Sequence, residues 1–339
     1  MLPPLSKFKR MGMKKALILR YGAYGDIIHI SHLPRLLKEQ GFDFVAVETN
    51  YKGFQLLRDN PFIDKITYLP DSSDLLKRRG LIEKKWALLA EEYDSFINLN
   101  GSIEYDILMM ETQNDYYRND KVRSNRCNIN FYDHMTALAG YPNIKGRTGE
   151  LFFTEEEKTK VDEYYSKYKD NFTILINLSG TSFHKQFIQA KEVAKWVLDT
   201  YEDAVIIETA GPEWKHLTLK EIDDKRIRSI VGIQPFRQAA ALAKRVNCVI
   251  GCESGVMCAA NMWNTPTIQL MTAASVKNHC EHAKNDYSLQ SPAYCSPCHK
   301  GPYQYVGCPV VDGHLLCTYF DVDKIKENIT KIYEKRNNA

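Results

Sequence analysis

The chain has 339 residues, enough for two domains rather than one. Hydrophobic residues make up 44% and charged residues 26%, a globular composition that excludes a disordered or fibrous chain. Lys and Arg number 45 against 42 Asp and Glu, a net +3 that neither requires nor excludes an anionic partner. No apolar run approaches the ~18 residues that a membrane span requires. The start carries Lys7, Lys9, Arg10, Lys14 and Lys15 and lacks the apolar stretch of a signal peptide. The default expectation is a cytoplasmic protein. Its basic N-terminus is read first as a frayed tail and second as a peripheral contact with anionic lipid at the inner membrane face.

In chain order, Ala16 to Leu19 read as a strand, Gly22 to Asp26 as a glycine-rich turn and Ile27 to Gln40 as an amphipathic helix closed by Gly41. Strands are expected at Phe44 to Val47, near Ile66 to Leu69 and at Ser95 to Leu99, with a helix over Leu81 to Glu92. The polar region from Asn100 to Thr148 holds a helix around Tyr132 to Ala139 and otherwise reads as an insertion of the kind that carries an acceptor site or a lid. Thr154 before Glu155, Glu156 and Glu157 is a helix N-cap.

A second α/β series follows. Strands are expected at Phe172 to Leu178, Ala204 to Glu208, Ile227 to Val231, Cys248 to Gly251 and Thr267 to Met271. Helices are expected over Ala190 to Thr200, Phe236 to Lys244, Met257 to Trp263 and Asp321 to Lys335. The turn Ala210-Gly211-Pro212 closes one of the strands. Alternation of this kind implies mostly parallel sheets covered on both faces, with ligands at the carboxyl ends of the strands.

Three loops sit at such ends. In Arg20-Tyr21-Gly22-Ala23-Tyr24-Gly25-Asp26 the glycines permit close backbone approach, and Asp26 stands where a carboxylate caps a helix. Capping is the plain reading; the sharper one makes Asp26 a general base for an acceptor hydroxyl, with Tyr21 and Tyr24 stacking on a sugar or base. In Ser179-Gly180-Thr181-Ser182-Phe183-His184-Lys185 small hydroxyl residues and a cation suit a diphosphate, against the plain reading of a polar turn. In Gly251-Cys252-Glu253-Ser254-Gly255-Val256-Met257-Cys258 a strand enters an apolar helix whose first N–H groups would meet a phosphate, with Glu253 free to bind sugar hydroxyls or simply to complement the helix dipole.

Together these loops resemble the glycosyltransferase family that contains the lipopolysaccharide heptosyltransferases, glycosyltransferase family 9. The resemblance rests on Ile18-Leu19-Arg20 with Gly25-Asp26-Ile27-Ile28-His29 and Leu33-Pro34, on Gly180-Thr181-Ser182 with Lys185 and the helix holding Trp196, and on Glu253-Ser254-Gly255-Val256-Met257-Cys258-Ala259-Ala260 with Asn264-Thr265-Pro266-Thr267. It implies a GT-B fold: two facing Rossmann-like domains with parallel sheets, and a C-terminal helix crossing back to the first domain. The implied division is residues 1–153 for the acceptor domain, 154–318 for the nucleotide-sugar domain and 319–339 for the returning helix. It further implies an inverting, metal-independent transfer from a nucleotide diphosphate sugar, ADP-heptose-like, to a bacterial surface glycan or glycolipid. Asp26 would be the base; Tyr21, Gly22, Tyr24, Gly25 and His29 would lie on the acceptor side. Gly180, Thr181, Ser182, Lys185, Ser254, Gly255, Val256 and Met257 would hold the diphosphate, and Glu253 the donor sugar. Two residues depart from the family pattern: Glu253 stands where Asp is usual and Cys258 where His is usual. The change of acid is enough to alter which sugar fits.

Cys295 and Cys298 form a CxxC pair followed by Cys308 and Cys317. Free or buried thiols, a structural Zn²⁺ site and a disulfide all remain open, with His279, His282, His299 and His314 as further ligand candidates. Tyr116, Tyr117, Arg118, Lys121, Arg123 and Arg126 mix aromatic and basic character. That composition admits a nucleic-acid acceptor, such as the hydroxymethylated bases of phage DNA, as a second reading behind a solvated insertion. A non-catalytic sugar-nucleotide sensor is a third reading. A dinucleotide oxidoreductase ranks last, because Gly22-x-x-Gly25 lacks the G-x-G-x-x-G spacing.

Overall fold

A computed structural model describes residues 12–69, 79–211, 217–232, 235–301 and 307–338. The basic stretch at residues 1–11 and Pro212 lie outside them. The chain divides into two compact units, Met1–Ser102 with Tyr132–Phe152 and Ile103–Phe131 with Phe153–Ala339. Each holds one all-parallel main sheet, the α/β architecture expected.

The first unit is built on β1 (Lys15–Leu19), β2 (Phe44–Asn50), β3 (Lys65–Leu69) and β4 (Ser95–Asn98), in the spatial order β3-β2-β1-β4. β1 is buried throughout, as an apolar run central in a sheet should be. Leu19, its last residue, pairs with Glu48 of β2, which continues to Asn50, and with Asn98, the last residue of β4. The single helix expected over 27–40 is two helices, α1 (Tyr24–Ile28) and α2 (Leu33–Glu39). Pro34 explains the break: it is accommodated in the first turn of α2 and would disrupt the interior of a continuous helix. Gly41, at φ +82°, ends α2 as expected. Helices α3 (Tyr51–Leu57) and α4 (Arg79–Glu92) complete the β-α-β crossovers.

The polar segment contains α5 (Asp120–Cys127) and α6 (Phe131–Leu138). Sequence placed all of this segment in the first domain, yet residues 103–131 pack with the second unit. Met109 exchanges backbone hydrogen bonds with His299 and Gly301, both at 2.7 Å, and Asn278 donates to the Cys127 and Ile129 carbonyls at 2.8 and 2.7 Å.

The second unit opens with α7 (Glu155–Tyr165). Thr154 Oγ1 accepts from the Glu157 N–H, and the Glu157 carboxylate accepts from the Thr154 N–H. The main strands are β5 (Phe172–Asn177), β6 (Ala204–Thr209), β7 (Ile227–Ser229), β8 (Cys248–Cys252), β9 (Thr267–Met271) and the short β10 (Leu289–Gln290), ordered β10-β9-β8-β5-β6-β7. Strand alternation sends Phe172, Ile174 and Ile176 into one core and Leu175 into the other. Helices α8 (Ala190–Thr200), α9 (Phe236–Leu242), α10 (Gly255–Met262) and α11 (Val276–Cys280) pack around this sheet, followed by the two-stranded β11 (Val310–Val311) and β12 (His314–Leu315). The final helix α12 (Val322–Asn337) is the C-terminal helix expected; Ile325, Ile329 and Ile332 lie in the core of the second unit, and Arg336 pairs with Asp203 at 2.9 Å. No helix among the described residues is long and apolar enough to cross a membrane.

Candidate functional site

In the first unit, β1 delivers Arg20 into the interior. Its Nη1 donates to the Leu99 carbonyl at 3.0 Å, and its Nη2 lies 3.1 Å from Asp26 Oδ1. Asp26 Oδ2 accepts the Ala23 N–H at 2.7 Å, so the capping reading of this residue is realised. The two contacts orient the carboxylate from both oxygens. Each oxygen accepts more than one hydrogen bond, and Asp26 is 22% exposed, so it retains capacity for an incoming hydroxyl. Gly22 is required here: a Cβ would lie 2.5 Å from Asp26 Oδ2.

The aromatic residues of this loop are more committed than sequence suggested. The Tyr21 hydroxyl donates to Glu48 Oε1 at 2.6 Å, and its ring stacks on Trp86 at 6.1 Å. Burial, followed by the hydrogen bond to Glu48 and the charge of that residue, pushes the Tyr21 hydroxyl well above its ordinary pKa. Glu48 is buried within β2 and also accepts from Lys85 Nζ at 2.5 Å and Trp86 Nε1 at 3.3 Å. Sequence reasoning did not reach this cluster, whose members lie far apart in the chain. Tyr24 donates to Gln55 Oε1 at 3.3 Å. Gly25 contributes its carbonyl to the His29 N–H, and His29 itself is buried against the edge of Tyr132.

In the second unit, the loop after β5 folds back on itself. The Gly180 N–H donates to the Lys185 carbonyl at 2.6 Å, the Lys185 N–H to Ser182 at 2.8 Å, and the Phe187 N–H to Leu178 at 2.9 Å. This hairpin turns the Lys185 side chain onto the loop after β8, where Nζ meets Glu253 Oε1 at 2.5 Å. Thr181 is exposed; Ser182 and His184 are buried. Burial, then the neighbouring Lys185 cation, lowers His184 to about 4, so its ring is neutral at pH 7.

Glu253 is buried, which by itself would raise its pKa. The charges of Lys185 and His279 outweigh that burial and hold the carboxyl well below the usual range. His279, from α11, brings Nε2 to 3.6 Å from Glu253 Oε1 and Nδ1 to 3.9 Å from Cys258 Sγ. Sequence named His279 only as a metal-ligand candidate; its place beside Glu253 comes from the tertiary fold. Glu253 Oε2 is buried without a hydrogen-bond partner.

The chain reaches Glu253 through Gly251, where a Cβ would lie 2.3 Å from the Asn177 carbonyl oxygen. Ser254 then caps α10, its Oγ accepting the Met257 N–H at 3.4 Å. The N–H groups of Gly255 and Val256, in the first turn, have no intrahelical acceptor by construction. Val256 and Met257 side chains belong to the core, so any contact they make with a phosphate is through the backbone.

Cys295, Cys298, Cys308 and Cys317 are free thiols. Burial raises Cys295, Cys298 and, to about 12, Cys317, and the thiols of this quartet reinforce one another. They do not form, among the described residues, a group whose ligand atoms all lie within 4.8 Å of one another. A tetrahedral ion would need the sulfurs to draw together and lose their protons. The basic residues near position 120 are largely committed. Arg123 is buried, donates to the Cys298 carbonyl at 2.8 Å and pairs with Asp120, while Arg118 and Arg126 both pair with Asp115.

No family model matches the chain, and no curated protein matches it. Solved structures do share its fold. A glycosyl transferase family 9 protein from Veillonella parvula superposes with a TM-score of 0.69 at 13% identity, over 95% of this chain and 97% of that one. The ADP-heptose lps heptosyltransferase II of E. coli gives a TM-score of 0.64 at 14% identity, over 96% of this chain and 100% of the other. E. coli heptosyltransferase WaaC, solved with ADP, gives 0.57 at 11% identity, over 94% and 99%. These are likenesses of fold, and they agree with the GT-B architecture that the sequence motifs imply.

Proposed function

We propose that the protein is an inverting glycosyltransferase that moves a sugar from a nucleoside diphosphate sugar, of the ADP-heptose kind, to an acceptor hydroxyl of a surface glycan or glycolipid. The observation that carries this reading is the Lys185–Glu253 pair at the carboxyl edge of the second sheet, with Glu253 Oε2 left without a partner. A cation and helix-start N–H groups suit the diphosphate; a buried carboxylate oxygen suits a sugar hydroxyl.

In the transfer, the acceptor oxygen forms a bond to the anomeric carbon as the bond from that carbon to the diphosphate oxygen breaks. The hydroxyl proton passes to Asp26, and the diphosphate leaves with the bonding electron pair. Lys185, the 180–185 loop and the N–H groups of Gly255 and Val256 offset the charge on the leaving group. The Arg20 contact and the Ala23 cap hold the base in orientation, which is what proton transfer from a positioned hydroxyl requires. The cytoplasm, where sugar nucleotides are made, is the compartment that fits this chemistry.

The test is a calorimetric and mass-spectrometric screen of the purified chain against ADP, UDP, GDP and their sugars, with Asp26→Ala in parallel. Binding of one nucleotide, with donor hydrolysis or transfer lost in the variant, is the expected result. Absence of binding by all three diphosphates and their sugars would remove the reading and leave the fold alone.

A further inference from the structure

Three side-chain oxygens of the second unit are buried without a hydrogen-bond partner and sit just beyond three adjacent strands. They are Ser179 Oγ after β5, Glu253 Oε2 after β8 and Thr272 Oγ1 after β9. These strands are neighbours in the order β9-β8-β5. Asn177 pairs in register with Gly251, so Ser179 and Glu253 each stand two residues beyond the same rung. Cys252 pairs with Leu270, which places Thr272 one residue past the level of Glu253. The three residues are 4%, 5% and 1% exposed.

A neighbouring polar atom of each is already committed. The Ser179 carbonyl accepts from Asn177 Nδ2 at 2.9 Å. Glu253 Oε1 holds Lys185. The Thr272 carbonyl accepts from Ser296 Oγ at 2.6 Å and from Gln290 Nε2 at 3.3 Å. The remaining oxygens are surplus to the fold. A buried polar atom left unpaired costs about 1–3 kcal/mol, and Ala or Val at 179 and 272 would avoid that cost. Three such oxygens at one sheet edge, where open α/β sheets bind their ligands, call for a ligand.

The chemistry narrows what that ligand is. Glu253 is an ionised carboxylate and only accepts hydrogen bonds. Phosphate oxygens are also acceptors and are repelled by it, whereas a sugar hydroxyl donates. Ser and Thr hydroxyls both donate and accept, so they can serve neighbouring positions of the same ring. We propose that Ser179 Oγ and Thr272 Oγ1 join Glu253 Oε2, assigned to the donor sugar above, in reading the hydroxyl groups of that sugar. This assignment rests on the transfer function proposed above. Because the three atoms are closed to solvent, sugar entry displaces the loops around them.

The experiment uses full-length Ser179→Ala and Thr272→Val, the second nearly isosteric. Affinity is measured by calorimetry for whichever of ADP, UDP and GDP binds and for its hexose and heptose derivatives, beside the ligand-free Tm. Each variant is expected to keep the diphosphate affinity within about twofold and to lose about three- to tenfold in sugar-nucleotide affinity, as one hydrogen bond is worth. The ligand-free Tm should stay level or rise, since the hydroxyl removed had no partner. An unchanged ratio of sugar-nucleotide to diphosphate affinity in both variants would overturn the subsite. So would a fall in Tm, which would mean that the hydroxyls serve the fold. Failure of the wild-type chain to bind any diphosphate or sugar nucleotide would instead sink the transferase reading itself, and the subsite with it.

Discussion

Gly180 approaches Glu253 so closely that a Cβ on residue 180 would lie 2.6 Å from the Glu253 carbonyl oxygen and 2.8 Å from the Lys185 Cβ. The loops after β5 and β8 are thus fitted to each other through one missing side chain. Gly180→Ala would force them apart and separate Lys185 from Glu253. The expected result is a loss of donor affinity of tenfold or more with a modest fall in Tm, because the contact lies at the sheet edge and not in either core. Calorimetric titration with nucleoside diphosphate, beside a thermal melt, checks it; unchanged affinity would show that the loops can separate at no cost to binding.

The Lys185–Glu253 pair makes a prediction about pH. Glu253 is held ionised in the fold to a lower pH than in the unfolded chain. The unfolded chain therefore takes up the proton first as acid is added. The pair's contribution is complete above the ordinary carboxylate value of 4.5 and is lost as pH falls through the lower folded value. Lys185→Met leaves the buried carboxylate without its main partner and should cost about 3–5 kcal/mol at pH 7. With burial now dominant, Glu253 binds its proton readily in the folded variant, so the gap to wild type should narrow as pH falls towards 4. Urea denaturation at pH 7.5 and pH 4.5 measures both gaps, and a gap that does not change between them would contradict the account.

Asp26 is predicted to act in the chemical step and not in donor binding. Asp26→Asn keeps the shape and one acceptor oxygen for the Ala23 N–H, but it cannot take a proton. The loss in kcat should be about 10²- to 10⁴-fold, with the affinity for donor nucleotide unchanged. Gly22→Ala should give a smaller kcat loss by pushing the carboxylate off its position, since the added Cβ would stand 2.5 Å from Oδ2. Steady-state rates with a donor held above KM separate these outcomes; a change confined to donor KM would move Asp26 out of the chemical step.

The strands were readable from the sequence because each is a short apolar run bounded by turn residues, and Thr267 to Met271 was placed to the residue. The loops were readable for a related reason: glycine beside a charged residue at a strand end is a local pattern. What failed is non-local. Nothing in the immediate sequence marks Glu48 as the partner of Tyr21, Lys85 and Trp86, since those contacts span 27 to 38 residues. Arg123 read as a surface cation because its burial depends on carbonyls of Tyr116, Arg118 and Cys298 that only the fold brings together. The break at Pro34 was missed because the apolar spacing of residues 27–40 continues across it, while the backbone cannot.

His279 provides the last test. The family pattern that the motifs resemble carries a histidine where Cys258 stands in this chain. In the fold, the His279 ring from α11 lies 3.9 Å from the Cys258 sulfur and 3.6 Å from Glu253 Oε1, in contact also with the edge of Phe131. The small thiol leaves room for a ring delivered from another helix, and the longer Glu253 arm reaches it. His279 is therefore expected to be a positioning residue for Glu253. His279→Ala should raise the KM for donor by roughly threefold, because Glu253 loses the ring that stands 3.6 Å from its Oε1, with a smaller effect on kcat. His279→Gln should recover part of the loss by supplying an N–H donor. The discriminating variant is Cys258→His in the His279→Ala background, which returns an imidazole to the same space from the neighbouring helix. Recovery of donor KM in that double variant would establish that the site needs the ring and not its point of origin; no recovery by either replacement would reduce His279 to core packing.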